Sequence, residues 1–136
     1  MGKSLIQVSN TSTQAVAPAV NSPSFVSLGN VIRRYGKNIM LNGNALEQIG
    51  DGYYEIEGTI TIAPTAVGVV TAALFENGEM MPGSLVSGSV STAENPVTLP
   101  LLATSRIVCC NSSAITVGVI SGTGNVLNVS LRDVKS

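Results

Sequence analysis

The chain has no histidine and no tryptophan, and its charged residues are seven Lys and Arg with eight Asp and Glu among 136 residues. Each absence excludes something. Without histidine there is no His-based catalytic triad and no imidazole general base. Aspartate occurs only as Asp51 and Asp133, so an Asp-rich calcium loop is excluded. The two cysteines are adjacent, Cys109 and Cys110. With no histidine and no second cysteine pair they cannot complete a four-ligand zinc site within one chain. No apolar run approaches the ~20 residues of a membrane span. Residues 1–10 lack the long apolar stretch of a cleaved secretory signal. Met1-Gly2 superficially matches a myristoylation start, but residues 5–8 read as a strand, which sets that reading aside.

The basic residues are also too few and too scattered for a nucleic-acid footprint, at a formal net charge of −1. Arg33, Arg34 and Lys37 form one local cluster. It reads as a solvated rim or a set of interface ion pairs.

What the chain does have is apolar and hydroxyl-bearing residues. Hydrophobic residues make up 44%, and the mean hydropathy is +0.37. One domain of this length can bury a real core. So few charges would leave much neutral or apolar surface on a monomer, and burial between subunits is the simplest remedy. The competing reading is an ordinary sandwich with a surface of Ser, Thr and Asn. On a strand, Cys109 and Cys110 point to opposite faces, so two buried thiols are expected rather than a disulfide. Free thiols suit assembly in a reducing cytoplasm.

Period-2 alternation and turn residues recur every eight to twelve positions or so, and helical periodicity is almost absent. Strands are predicted at 5–8, 25–35, 38–41, 45–49, 53–62, 67–75, 80–92 (interrupted at Pro82-Gly83), 97–102, 106–110, 115–120 and 126–134. Asn42-Gly43 and Asn77-Gly78 read as two-residue type I′ hairpin turns. Within 53–62, Tyr54, Ile56, Gly58, Ile60 and Ile62 share one face, while Tyr53, Glu55, Glu57, Thr59 and Thr61 share the other. Within 126–134, Val126, Asn128, Ser130, Arg132 and Val134 lie on one side and Leu127, Val129, Leu131 and Asp133 on the other. The expected fold is all-β, an antiparallel sandwich or jelly roll of about ten strands. Residues 10–24, with Pro18 and Pro23, read as an extended connection or arm. This divides the chain into residues 1–24, an N-terminal strand and arm, and residues 25–136, the jelly-roll domain.

No motif carries chemistry. Glu55 and Glu57 sit two apart on one strand face, which alternation alone explains. Gly122, Thr123, Gly124 and Asn125 resemble a phosphate loop only in glycine content, since no helix follows. Tyr35, Tyr53 and Tyr54 are the only tyrosines, and one of the Tyr53–Tyr54 pair must face inward, so a sugar-stacking platform is not their first reading. The chain is expected to be non-enzymatic, with no cofactor.

At Gly52, Tyr53, Tyr54 and the strand they open, the sequence resembles the tumour-necrosis-factor-like jelly-roll superfamily. Residues 74–79 (LFENGE), 97–101 (VTLPL) and 128–131 (NVSL) are similar to its later strands and hairpin. The resemblance covers about residues 24–135. Residues 31–36 (VIRRYG), 95–100 (NPVTLP) and 109–112 (CCNS) resemble small virion proteins of bacteriophages and prophages. The resemblance implies a compact homotrimer in which one sheet packs around a three-fold axis, formed by residues 31–35, 53–62, 97–102 and 126–134. It places Tyr54, Ile56, Ile60, Leu99 and Leu131 in the sandwich core or at that axis. It implies a capsid decoration or head-fibre protein on the virion surface, assembled in the bacterial cytoplasm with the major capsid protein as partner. Leu5, Ile6 and Val8 then belong to a capsid-anchoring arm, or else to an edge strand and its loop. The alternative role is the tip of a fibre or tail protein that binds a host-surface glycan.

Overall fold

The longest alternating segment builds the centre of the molecule. In the computed structural model, which describes residues 3–108 and 111–136, Gly52–Pro64 is a single strand with Tyr54, Ile56, Ile60 and Ile62 turned inward and fully buried. Thirteen strands follow one another in chain order: β1 (Ser4–Asn10), β2 (Gln14–Val16), β3 (Ser24–Phe25), β4 (Asn30–Tyr35), β5 (Ile39–Asn42), β6 (Ala45–Ile49), β7 (Gly52–Pro64), β8 (Gly68–Glu76), β9 (Glu79–Met80), β10 (Val86–Val90), β11 (Val97–Ile107), β12 (Ser112–Ser121) and β13 (Gly124–Lys135). Ten of them have four residues or more, and no helix occurs among the described residues.

Two antiparallel sheets face each other. The first has the order β11-β7-β13-β1-β4, with β2 added beside β13. The second has the order β10-β8-β12-β6-β5, with β3 beside β12 and β9 beside β8. This is a jelly-roll sandwich. The four segments expected to share one sheet do so, with β1 inserted between β13 and β4. The core between the sheets holds Ile6, Leu28, Leu46, Ile60, Leu74, Leu101, Ile115 and Leu131, each with essentially no exposed surface. Burial on this scale, at ~25 cal/mol per Å² of apolar surface, is the main stabilising term.

Several local expectations change. Residues 97–102 and 106–110 were expected as two strands, yet β11 runs unbroken from Val97 to Ile107. Pro100 sits within it because β11 is an edge strand, where a missing N–H costs no ladder bond. In β13 the register against β7 shifts between Val126 and Asn128. This bulge at Leu127 turns Val126 inward, in phase with Val129, Leu131 and Asp133. The first hairpin turns at Gly43-Asn44, because Asn42 pairs with Ala45. Gly43 has φ 62°, the position a type II′ turn reserves for glycine. The second hairpin follows expectation, with positive φ at both Asn77 and Gly78.

Residues 25–35 are not one strand. Val26 and Leu28 enter the core from a connection, and the chain turns at Gly29 before β4. Val31 and Ile32, two apolar residues of the segment expected as a strand, are exposed on β4, the outermost strand of its sheet. Leu5, Ile6 and Val8 lie in β1, paired on both sides by β13 and β4. Ile6 and Val8 are fully buried, so these three side chains are part of the sheet rather than of a free arm. The expectations for Met1-Gly2 and for Cys109 and Cys110 lie outside the described residues.

Candidate interface on the outer face of the first sheet

Alternation along β7 puts its polar side chains on the face turned away from the core, and the register extends that face across the sheet in rungs. Thr104, Glu55, Val134, Leu5 and Tyr35 form one rung from β11 to β4. Leu102, Glu57, Arg132, Gln7 and Arg33 form the next. Pro100, Thr59, Ser130, Ser9 and Asn30 form a third. Thr98, Thr61 and Asn128 make a shorter fourth rung. Thr61 and Thr98 hydroxyls are hydrogen-bonded at 2.9 Å.

The rungs carry two carboxylates, Glu55 and Glu57, and two guanidinium groups, Arg33 and Arg132, with apolar side chains among them. Leu102 is 63% exposed, and Tyr53 and Tyr35 are more than half exposed. Arg132 and Glu57 form an ion pair at 2.8 Å, both side chains about half exposed. A pair this open to water contributes no more than about 1 kcal/mol. A shallow depression of about 470 Å³ lies among Gln7, Glu57, Gly58, Pro100, Leu102 and Arg132. Gly58 itself is in phase with the inward residues of β7, and a Cβ there would run into the β13 backbone at Ser130 and Leu131. Unlike charges stand on opposite sides of the sheet's middle strand, β13. Glu55 and Glu57 lie on β7, and Arg33 lies on β4 at the far side. Glu55 and Arg33 form no ion pair among the described residues.

The residues expected at the core or the axis are all inward. Tyr54, Ile56, Ile60, Leu99 and Leu131 are buried between the sheets, and none reaches the outer face. The Tyr54 ring packs inside while its hydroxyl donates toward the carbonyl oxygens of Ile49 and Gly50, at 3.0 and 2.8 Å. Tyr53 points outward, and the Arg106 guanidinium lies over its ring, 4.8 Å from the centroid. That ring face is therefore already occupied.

A second polar constellation lies inside, near one end of the sandwich. Gln48, from β6 of the second sheet, reaches the first sheet at two points. Its Nε2 donates to Asp133 Oδ2 at 2.7 Å, and its Oε1 accepts from Ser105 Oγ at 2.7 Å. Gln48 and Asp133 have no exposed surface and Ser105 has almost none. The other carboxylate oxygen of Asp133 has no partner. Burial pushes the Asp133 carboxyl up to about 7 from 3.8, against a smaller lowering by the Gln48 hydrogen bond. The Tyr54 phenol is pushed up by burial first, then by the negative charges of Asp133 and Asp51. Sequence reading missed this cluster as a unit. Its signal was present: Gln48, Ser105 and Asp133 are polar residues at positions in phase with Leu46, Ala103 and Leu131.

Among the described residues no group of three metal-ligating side chains comes together. Glu55 and Glu57 stand exposed on the outer face, and Glu57 is engaged by Arg132.

No family model matches the sequence, and no curated protein matches it. Solved structures do match the fold. Murine APRIL superposes with a TM-score of 0.69 at 11% identity, over 99% of this chain and all of that one. The globular domain of zebrafish complement 1qA gives 0.63 at 8% identity, over 96% of this chain and 94% of that one. PRD1 vertex protein P5 gives 0.56 at 12% identity, over 97% of this chain and 96% of that one. At such identities the likeness speaks for the fold alone. Two antiparallel sheets in this strand order, matched over nearly the whole chain, are those of a tumour-necrosis-factor-like jelly roll.

Proposed function

We propose that this protein is a non-enzymatic structural component of a bacteriophage virion, a homotrimer that decorates the capsid surface through contacts with the major capsid protein. The observation that carries the reading is the outer face of the first sheet. It is broad and centred on Leu102, Pro100 and the depression beside Gly58. Its carboxylates, Glu55 and Glu57, lie one strand in from the β11 edge, and Arg33 lies on the opposite edge strand, β4. A head-to-tail ring brings the β11 side of one copy, with its carboxylates, to the β4 side of the next, with Arg33, and such a contact closes into a cyclic oligomer when the rotation between copies is a whole fraction of a turn. The fold likeness to the PRD1 vertex protein supports a virion setting.

The capsid contact falls to the exposed connection between β1 and β3 rather than to Leu5, Ile6 and Val8. There the backbones of Ala19 and Ser22 bond reciprocally, at 3.0 and 2.9 Å, and close a tight turn. Val20 projects from this turn 91% exposed. A projecting apolar side chain on a closed turn is suited to a pocket on a partner. The glycan-binding alternative gains less support, because the Tyr53 ring already carries Arg106 on one side.

The test is the mass of the protein in solution, followed by titration onto undecorated capsids. A trimer that saturates capsid sites is the expected result. A trimer that ignores capsids and binds bacterial cells moves the role to host recognition, and a monodisperse monomer overturns the trimer.

A further inference from the structure

We infer that Ser105, Gln48 and Asp133 form a proton-linked clamp between the two sheets, bridged in both protonation states and more stabilising when the Asp133 carboxyl is neutral than when it is charged. The inference stands on the geometry of the cluster and is independent of the virion role.

Gln48 is the sole member from the second sheet. It bridges β11 and β13, the two strands that flank β7. Both ends of its amide are at 2.7 Å from their partners. An amide donates at one end and accepts at the other, and rotation about its last torsion exchanges the ends. With Asp133 charged, the amide N–H donates to the carboxylate and the Ser105 hydroxyl donates to the amide oxygen. With Asp133 neutral, its O–H donates to the amide oxygen and the amide N–H donates to Ser105 Oγ. Both contacts survive with reversed polarity.

The two states differ in what is left unmatched. A carboxylate without solvent needs several donors. Here one oxygen receives a single N–H and the other receives none. Proton uptake removes the charge and keeps the bridge.

Among the described residues the charges on the same side of the sheets are Arg34, in the rung of Asp133 and Ile6 with its Nε donating to the Ile39 carbonyl oxygen, and Lys135. That residue faces inward from β13, two positions along, with its stem against Gly52. From β7 the facing titratable group is Tyr54. From β1 the inward residues are Ser4, Ile6 and Val8, and from β6 they are Leu46 and Gln48. β11 presents Ala103, Ser105 and Ile107, β12 presents Ser113 and Ile115, and β5 presents Ile39. Glu47, Glu55, Glu57, Arg106 and Arg132 alternate with these inward residues and point to the outer faces. Asp51, exposed at the corner before β7, acts on Tyr54.

The direction of the pH effect follows. The folded carboxyl holds its proton to about pH 7, against 3.8 for the ordinary group. Between those values the folded state carries a proton that the unfolded state has lost. Stability is therefore fully present below about pH 4 and falls as pH rises toward 7, with no further loss above it. The difference in proton affinity is up to about a thousandfold in the folding equilibrium.

The experiment compares the full chain with Asp133→Asn at fixed protein concentration. Thermal unfolding is followed from pH 5 to pH 8, and the carboxyl carbon of Asp133 is titrated by NMR in the wild type. The expected result is a wild-type midpoint that falls with rising pH, a flat profile for the Asn variant, and a carboxyl titration centred near pH 7. A carboxyl that titrates near pH 4, or an Asn variant with the wild-type slope, overturns the clamp. Should the variant fail to fold, the wild-type carboxyl titration decides alone.

Discussion

The Tyr54 hydroxyl stands 2.8 Å from the Gly50 carbonyl oxygen, so the first inward side chain of β7 ties down the corner that leads into its own strand. Gly50 has φ 110° there, a conformation open to glycine at little cost. Tyr54→Phe keeps the ring in the core and removes the tie. The expected loss is about 1–2 kcal/mol of unfolding free energy, read by denaturant titration with an unchanged slope. An unaltered midpoint would show that the corner holds without the hydroxyl.

Ile60 and Leu102 separate folding from assembly. Ile60 is fully buried, and Ile60→Arg places an unpaired charge in the sandwich core. A cost of about 4 kcal/mol or more is expected, enough to lose the folded protein. Leu102 is on the outer face, and Leu102→Asp should keep the wild-type circular dichroism spectrum while reducing the solution mass from that of the proposed trimer to that of a monomer. A Leu102→Asp protein that remains trimeric places the subunit contact on another surface.

Gly58→Ala tests the close approach of β7 and β13. The added methyl meets the β13 backbone, with Leu131 Cα only 2.9 Å away, and backbone in the middle of a sheet cannot step aside. About 1–3 kcal/mol of destabilisation is expected, seen as a lower thermal midpoint. Retained stability would mean that β7 and β13 can spread.

Val20→Asp probes the proposed capsid contact without touching the core or the first sheet. The trimer mass and thermal midpoint are expected to stay at their wild-type values, while affinity for undecorated capsids falls at least tenfold. Equal affinity would remove the 19–22 turn from the contact.

Inward residues were legible wherever a strand had neighbours on both sides. Tyr54, Ile56, Ile60 and Leu131 alternate with polar residues because β7 and β13 lie in mid-sheet with water on one face. The pattern misled at the margins. Val31 and Ile32 look like core residues by composition, yet an edge strand has a second open side that hydropathy does not encode. The bulge at Leu127 inverts the phase for Val126, and a single extra residue leaves no mark on alternation beyond the break itself. The Ser105–Gln48–Asp133 cluster needed three strands distant in sequence to be brought together. Each member alone reads as a lapse in an apolar stripe. The outer face was legible as polar in β7, but its rung structure depends on register, which only the assembled sheet fixes.

The pairing of β1 with β13 has a consequence for engineering. Ser4 is the register partner of Lys135, so the first and last strands finish side by side at one pole of the sandwich. A peptide or cargo fused at either end departs from the same place, and a short linker can join the two ends. Cutting the cyclised chain at Asn77-Gly78, a hairpin tip with nothing packed over Gly78, then yields a permuted form. Its new ends fall in a connecting turn and leave every long strand whole.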